Sequence, residues 1–186
     1  MTRVIAGRAG GRRLATPKGS GTRPTSDRVR ESLFAALSSL LGGFEDLHVL
    51  DLYAGSGALG IEALSRGASG ADFVERDAQA AAVVRANLRE LRLPGAVHRR
   101  SVRTHLEAAA DRPADLVLYD PPYDLGGESV TSELTLLVER GHVGPDAVIV
   151  VERSARTPDV VWPPTLEALR DKAYGETRLW YGQPRD

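Results

Sequence analysis

Apolar residues recur along this chain in two alternating rhythms, helical stripes and short continuous runs. The first stripe is Val29, Leu33, Leu37 and Leu40/Leu41, spaced as one face of a helix. Thr25, Ser26 and Asp27 can all cap its start, and Gly42-Gly43 ends it. From residue 48 the pattern alternates strand and helix. Strands are predicted over 48–53, 71–75, 97–100, 115–120 and 147–152. Helices are predicted over 58–66, 77–91 (with Asp77 in its first turn), 103–110 and 129–140. Repeated β-α units with apolar strands predict a mostly parallel sheet with helices on both faces, a Rossmann-like α/β fold. Near the end, Tyr174-Gly175 and the alternating Thr177, Leu179 and Tyr181 predict a closing antiparallel hairpin over 173–182. Before the first helix, residues 3–15 predict two short strands around a Gly-rich turn, and 16–24 a flexible loop. The expected division is a hairpin arm, 1–24, and an α/β domain, 25–186.

Composition narrows the chemistry. The chain has no cysteine, which excludes disulfides, thiolate metal sites and cysteine nucleophiles. No stretch approaches the roughly 20 apolar residues of a membrane span. The first thirty residues lack the apolar core of a signal peptide. A cytoplasmic monomer with no membrane partner is expected. The net charge of −1 hides an asymmetry: residues 1–30 hold eight of the 24 cations and a single anion, Asp27. A basic arm on an acidic body predicts a polyanionic partner, with Arg3, Arg8, Arg12, Arg13 and Lys18 on nucleic-acid phosphates. A solvated tail is the plainer alternative.

Two motifs carry the candidate chemistry. Gly55, Gly57 and Gly60 spell G-x-G-x-x-G between the first long strand and its helix, where bare backbone can approach a ligand. That spacing alone would also suit a nicotinamide cofactor. Asp51 ends the strand before the loop and can accept from an ammonium group; Glu75 ends the next strand and can take both hydroxyls of a ribose. An amino-acid tail on an unphosphorylated nucleoside describes S-adenosylmethionine. The second motif, Asp120-Pro121-Pro122-Tyr123, follows another apolar strand and therefore falls on the same sheet edge. The Asp120 carboxylate and the Pro121 carbonyl can accept from an exocyclic amine and aim its lone pair, while Tyr123 can stack on a base. Metal-independent, in-line methyl transfer would follow. Structural readings compete: a helix-entry turn with surface acids, and a Pro-Pro strand terminator.

These residues resemble the RsmD-type bacterial 16S rRNA guanine-N2 methyltransferases over nearly the whole chain. The likeness runs through Arg3–Gly7 with Gly11–Leu14, then Thr22–Glu31, Asp51–Gly67, Asp120–Tyr123 and Tyr174–Thr177. The resemblance implies a class I SAM-dependent methyltransferase fold with a seven-stranded sheet and S-adenosylmethionine as donor, with S-adenosylhomocysteine as product. It also implies methylation of one guanine N2 in 16S rRNA, within an assembled or partly assembled small subunit. Carried over by position, Asp51, Gly55 and Gly57, with Tyr53 and Ala54 of the same loop, surround the methionine part. Glu75, with Arg76 beside it, holds the ribose; Asp120 to Tyr123 hold the guanine; Arg23 and Thr25 close over the cofactor. Relatives often place an acid near the adenine amine, but here the stretch is Arg99-Arg100-Ser101-Val102-Arg103. Ser101 and Val102 are expected at the adenine, through the hydroxyl or a backbone carbonyl.

The remaining signals are weaker. His48, His98, His105 and His142 are scattered, without metal-ligand spacing, and are expected at surfaces or strand ends. Trp162 with Pro163 and Pro164 is expected to anchor a loop by packing. Competing functions are a DNA adenine-N6 or protein glutamine-amide methyltransferase, a non-catalytic RNA-binding assembly factor, and a nicotinamide dehydrogenase. Asp120 in place of Asn leans away from the glutamine-amide enzymes, and 186 residues leave little room for a DNA-recognition domain.

Overall fold

The computed structural model describes residues 2–18 and 25–185. Its elements run β1 (Thr2–Arg3), β2 (Arg13–Leu14), α1 (Asp27–Leu41), β3 (His48–Leu52), α2 (Ala58–Ser65), β4 (Gly70–Val74), α3 (Ala78–Leu91), β5 (Ala96–His98), α4 (Val102–Glu107), β6 (Ala114–Tyr119), α5 (Gly127–Glu139), β7 (Val143–Ser154), β8 (Leu166–Tyr174) and β9 (Thr177–Pro184). The large sheet has seven strands in the order β5-β4-β3-β6-β7-β9-β8. The first five are parallel, and β7-β9-β8 is antiparallel. Chain order runs outward from β3 to β5, then returns to the other side of β3 with β6. The sheet's switch point therefore lies between β3 and β6, where a crevice opens beyond the strand ends.

Strand residues alternate between two cores. Val49, Leu116, Leu118, Val148 and Val150 face one core with Phe34 and Leu37 of α1, Ile61 of α2 and Val84 of α3. Leu50, Val117, Ile149 and Val151 face the other with Leu106 of α4 and Leu134 and Leu137 of α5. Both faces are thus covered, as parallel sheets require.

Side chains at the helix starts set the boundaries. Ser26 accepts from the Val29 N–H and caps α1. Asp77 caps α3 from outside, accepting from Ala80 N at 2.8 Å, one position before the first turn where the pattern placed it. The closing hairpin is longer than the alternation indicated, because β8 begins at Leu166. Most of β8 is an exposed edge, which leaves no apolar signal to read. Trp162 packs as expected: a Cβ on Gly182 would meet its ring at 2.5 Å.

The N-terminal hairpin is docked rather than dangling. Val4, Ala9 and Leu14 are buried in the first core. The buried Glu62 carboxylate of α2 accepts from Ile5 N at 2.7 Å and Ala6 N at 3.0 Å. Ser65 Oγ accepts from Ala9 N, and Asn87 of α3 brackets Ala15 through both its backbone N–H and its carbonyl. No described helix is long and apolar enough to cross a membrane.

Candidate active site

A cavity of about 880 Å³ opens at the switch point. Its wall brings together the loop after β3 (Asp51, Tyr53, Ala54, Gly55), the end of β4 (Glu75, Arg76), Ser101 and Val102, and Asp120 to Tyr123. Thr25 and Lys18 also reach it. Residues as far apart in sequence as Lys18 and Tyr123 thus line one cavity. Arg23 lies outside the described residues. Gly57 is not on the wall; its φ of +78° lets the loop turn into α2 against Val84.

The glycine loop works by close approach. At Gly60 a Cβ would sit 2.4 Å from the Phe73 ring and 2.9 Å from Asp51 Oδ2, so only glycine lets α2 lie against β3 and β4. Its N–H donates to Asp51 Oδ2 at 2.9 Å. At Gly55, φ is +56° and a Cβ would meet nothing, which leaves the backbone open toward the cavity. Glu75 braces this loop: one oxygen accepts from Gly55 N and the other from Asp77 N, at 2.9 and 2.8 Å. Each oxygen keeps a second lone pair for a ligand hydroxyl.

Tyr53 also has a positive φ, +60°, a costly conformation for an aromatic residue. Its hydroxyl donates to both Glu133 oxygens at 3.0 Å, and Tyr119 donates to Glu133 at 2.7 Å. Glu133 of α5 thus pins the ring over the cavity. No periodicity in the sequence marks Glu133, because a buried acid on an amphipathic helix looks like an ordinary polar position.

Glu152 is the second residue that the motifs missed. It lies near the end of β7, is 5% exposed, and lines the cavity. Thr25 Oγ1 donates to its carboxylate at 2.9 and 3.0 Å, which ties the segment before α1 to the site. A signal existed: Val148-Ile149-Val150-Val151-Glu152 ends an apolar run in an acid, as do the runs ending at Asp51, Glu75 and Asp120. Arg153, its neighbour, donates to Leu125 O at 2.8 Å and anchors the loop after Asp120–Tyr123. Pro122 O accepts from Leu125 N, closing that loop's turn.

The electrostatics are those of crowded, buried acids. Burial pushes the Asp51 carboxyl up to about 8, aided by the charge of Glu75 and opposed by the Gly60 hydrogen bond. Burial raises Asp120 well above the carboxylate range, and the charges of Glu152 and Asp51 raise it further. Glu152 and Glu133 are raised by burial as well. One buried cation lines the same wall. Arg30 is 1% exposed; its Nη2 donates to Arg3 O and Asp27, while Nε and Nη1 have no partner.

Ser101 also caps a helix. Its hydroxyl accepts from Thr104 N at 3.1 Å, donates to Thr104 Oγ1 at 2.8 Å, and so caps α4. It lines the cavity as a turn residue. In the arm, Arg3 pairs with Asp27 at 2.9 Å and Arg12 with Glu90 at 3.4 Å. Arg8 and Arg13 are exposed.

The four histidines are not scattered in space. His48 and His98 flank Asp72, with Nε2 at 2.7 and 2.6 Å from its carboxylate. The His98, His105 and His142 rings then follow at centroid spacings of 5.0 and 5.4 Å. His48 and His142 are buried. Burial, then the neighbouring positive charges, push His105 down to about 4, while the His48 bond, opposed by burial, leads in holding Asp72 near 2. The fold assembled this row from three strands, one helix and the loop before β7. Among the described residues it forms no group able to hold a metal ion.

The chain is similar to known proteins over almost its full length. The family described as Conserved hypothetical protein 95 matches residues 2–183. The Bacillus subtilis protein YlbH is 39% identical over 181 residues, 94% of this chain and 95% of that one. Ribosomal RNA small subunit methyltransferase D of Escherichia coli K12 is 36% identical over 174 residues, 94% of this chain and 85% of that one. The solved structure of the Escherichia coli protein yhhF superposes with a TM-score of 0.83 at 34% identity, covering 98% of this chain and 97% of that one. The fold is the class I SAM-dependent methyltransferase fold, with the small hairpin sheet added at its N-terminus.

Proposed function

The chain belongs to the RsmD-type ribosomal RNA methyltransferase family, and on that footing we propose that it methylates the exocyclic N2 amine of one guanine in 16S rRNA, with S-adenosylmethionine as donor. One observation carries the reading. The Asp120-Pro-Pro-Tyr turn opens into the same switch-point cavity as Asp51 and Glu75, so a nucleophile site and a nucleoside site adjoin. The printed name of the Escherichia coli relative supports small-subunit rRNA as the substrate class.

The residues fit the donor. Asp51 suits its ammonium, and the orphaned Nε and Nη1 of the buried Arg30 suit its carboxylate. Glu75 suits the ribose hydroxyls and Gly55 leaves open backbone beside them. When bound, S-adenosylmethionine supplies an electrophilic methyl on a sulfonium sulfur.

The chain's own part is orientation and proton handling. A purine amine is a weak nucleophile because its lone pair is delocalised into the ring. Asp120 accepts from one N2–H and turns that lone pair toward the methyl. On accepting the methyl the amine nitrogen would have one proton to shed, the donor leaving as a neutral thioether. The Asp120 carboxyl, held above its ordinary range, is a suitable acceptor for that proton. Tyr123, 53% exposed at the cavity mouth, stacks on the base.

The test is tritiated methyl transfer to small subunits lacking the modification, followed by nucleoside analysis. N2-methylguanosine in 16S rRNA is the expected product. Label on adenine, on DNA or on protein would replace the guanine reading. Asp120→Ala should lose about 1,000-fold in kcat, the scale of removing a transition-state contact. Its donor affinity should stay at the wild-type level, and full activity would sink the mechanism.

A further inference from the structure

We propose that Glu152 is the guanine selector of this site, its carboxylate accepting the N1–H of the target base while Asp120 accepts from N2. The proposal rests on the functional reading given above. Its basis is a mismatch between acceptors and donors. Glu152 is buried and Asp120 half-buried against one cavity. Among the described residues the Thr25 hydroxyl is the one donor to Glu152, and no donor reaches the Asp120 carboxylate. Two carboxylates hold about eight lone-pair sites, so a single O–H leaves the pair far short. A buried carboxylate short of donors, as Glu152 is, is costly, and a ligand that brings them is favoured.

The base that answers this demand is guanine. Its Watson–Crick edge carries N1–H beside the N2 amine, two donors for two carboxylates that line one cavity and feel each other's charge. Adenine and cytosine offer an amine too, but beside it a ring nitrogen with a lone pair. Facing a carboxylate, that lone pair is repelled and loses its water without replacement, so the same residue that attracts guanine rejects the others. Lone pairs also crowd the two acids against each other: after burial, the charge of Glu152 is the next cause that raises the Asp120 carboxyl. A guanine edge supplies N–H groups to both oxygen sets and relieves that crowding.

Thr25 gives the selector a fixed pose. Its hydroxyl spans both Glu152 oxygens, so the carboxylate is oriented before the base arrives. Thr25 sits immediately before the Ser26 cap of α1, and α1 is packed into the core by Phe34 and Leu37. The acceptor therefore rests on rigid elements on both sides.

2-Aminopurine tests the idea, because it keeps the N2 amine but has a lone pair at N1. Placed in small subunits at the guanine that the methyl-transfer assay maps, it should react at least about 100-fold less efficiently than guanine with the wild-type enzyme. Glu152→Gln keeps an oxygen for Thr25 and offers N1 an amide donor. In that variant kcat/KM on guanine should fall by about 100-fold and that on 2-aminopurine should rise, bringing the ratio near one. Donor affinity, measured by calorimetry, should be unchanged. Equal wild-type use of both bases overturns the proposal, as does a Gln variant that keeps the wild-type preference. Should that variant fail to fold, the wild-type comparison of the two RNAs decides alone. A wild-type enzyme that makes no N2-methylguanosine overturns the functional reading itself, and the guanine substrate shows that separately.

Discussion

Buried carboxylates are expensive, and the chain concentrates them where a cationic ligand would repay the cost. Asp51 is the clearest instance. It is 2% exposed, with one backbone N–H from Gly60 and a carboxyl pushed up to about 8. An ammonium group binds only the ionised form. Below pH 8 the proton must leave before the donor can bind, so affinity should fall as pH falls, by up to about tenfold per unit. Above that pH it should level off. Calorimetric titration of S-adenosylmethionine from pH 6 to 9 checks the sign, and Asp51→Asn should flatten the profile while weakening binding throughout. A profile in which wild-type affinity rises toward acid would contradict the assignment of Asp51 to the ammonium. Asp51 and Asp120 were legible in the sequence because each closes an apolar run before a glycine or proline turn, and Glu75 because its strand end runs into the capping Asp77. Glu152 closes an apolar run too, but without such a turn to announce it. Glu133 has neither signal, since its role depends on two tyrosine hydroxyls that only the fold brings to it.

Elements are held by the same kind of group. The hairpin β1-β2 has two-residue strands, too short to persist unaided, and its clasp is the Glu62 carboxylate inside α2. Glu62 also takes Arg66 Nε at 2.8 Å. Glu62→Ala leaves two backbone N–H groups and an arginine without their acceptor, a loss of about 2–6 kcal/mol for the two backbone groups at about 1–3 kcal/mol each. Urea unfolding should show that loss, and limited proteolysis should cut within 6–12 at protease levels that spare the wild type. An unchanged cleavage pattern would mean that Val4, Ala9 and Leu14 hold the hairpin by burial alone. Sequence patterning located the hairpin but not its clasp, because Glu62 on α2 reads as a solvated helix position. It located the parallel strands well, since both faces of β3, β6 and β7 are buried and their runs are continuous. It truncated β8 because an edge strand rich in charge, Arg170-Asp171-Lys172, carries no hydrophobic rhythm. It dispersed the histidines because Asp72 collects His48 and His98 through lateral strand pairing, which sequence distance does not encode.

At the scale of the whole molecule the sign of charge is divided, and the division predicts how RNA is held. Eight cations in the first thirty residues face a body in which acids outnumber bases. Not all of these cations are equally available to phosphate. Arg3 is engaged by Asp27 and Arg12 by Glu90, so each is partly neutralised before any RNA arrives. Lys18 lies on the cavity wall. Arg8 and Arg13 stand exposed on the docked hairpin. Each phosphate contact made by an unpaired cation releases counterion and steepens the salt dependence by about 0.7 for single-stranded RNA, whereas a cation already paired releases less. Arg8→Ala with Arg13→Ala should therefore lower the slope of log affinity against log salt by about 1.4. Arg3→Ala with Arg12→Ala should lower it less, although the charge removed is the same. Filter binding to protein-free 16S rRNA between 50 and 200 mM salt separates the pairs. Equal slopes for the two double variants would show that the ion pairs open on binding, and an unchanged slope in both would move the phosphate track off the hairpin. Because Glu62 and Asn87 fix the hairpin to α2 and α3, its exposed cations keep a set position relative to the cavity mouth. Backbone contacts made there can then orient the RNA so that one base reaches Tyr123, which turns a sequence-independent attraction into a positional one.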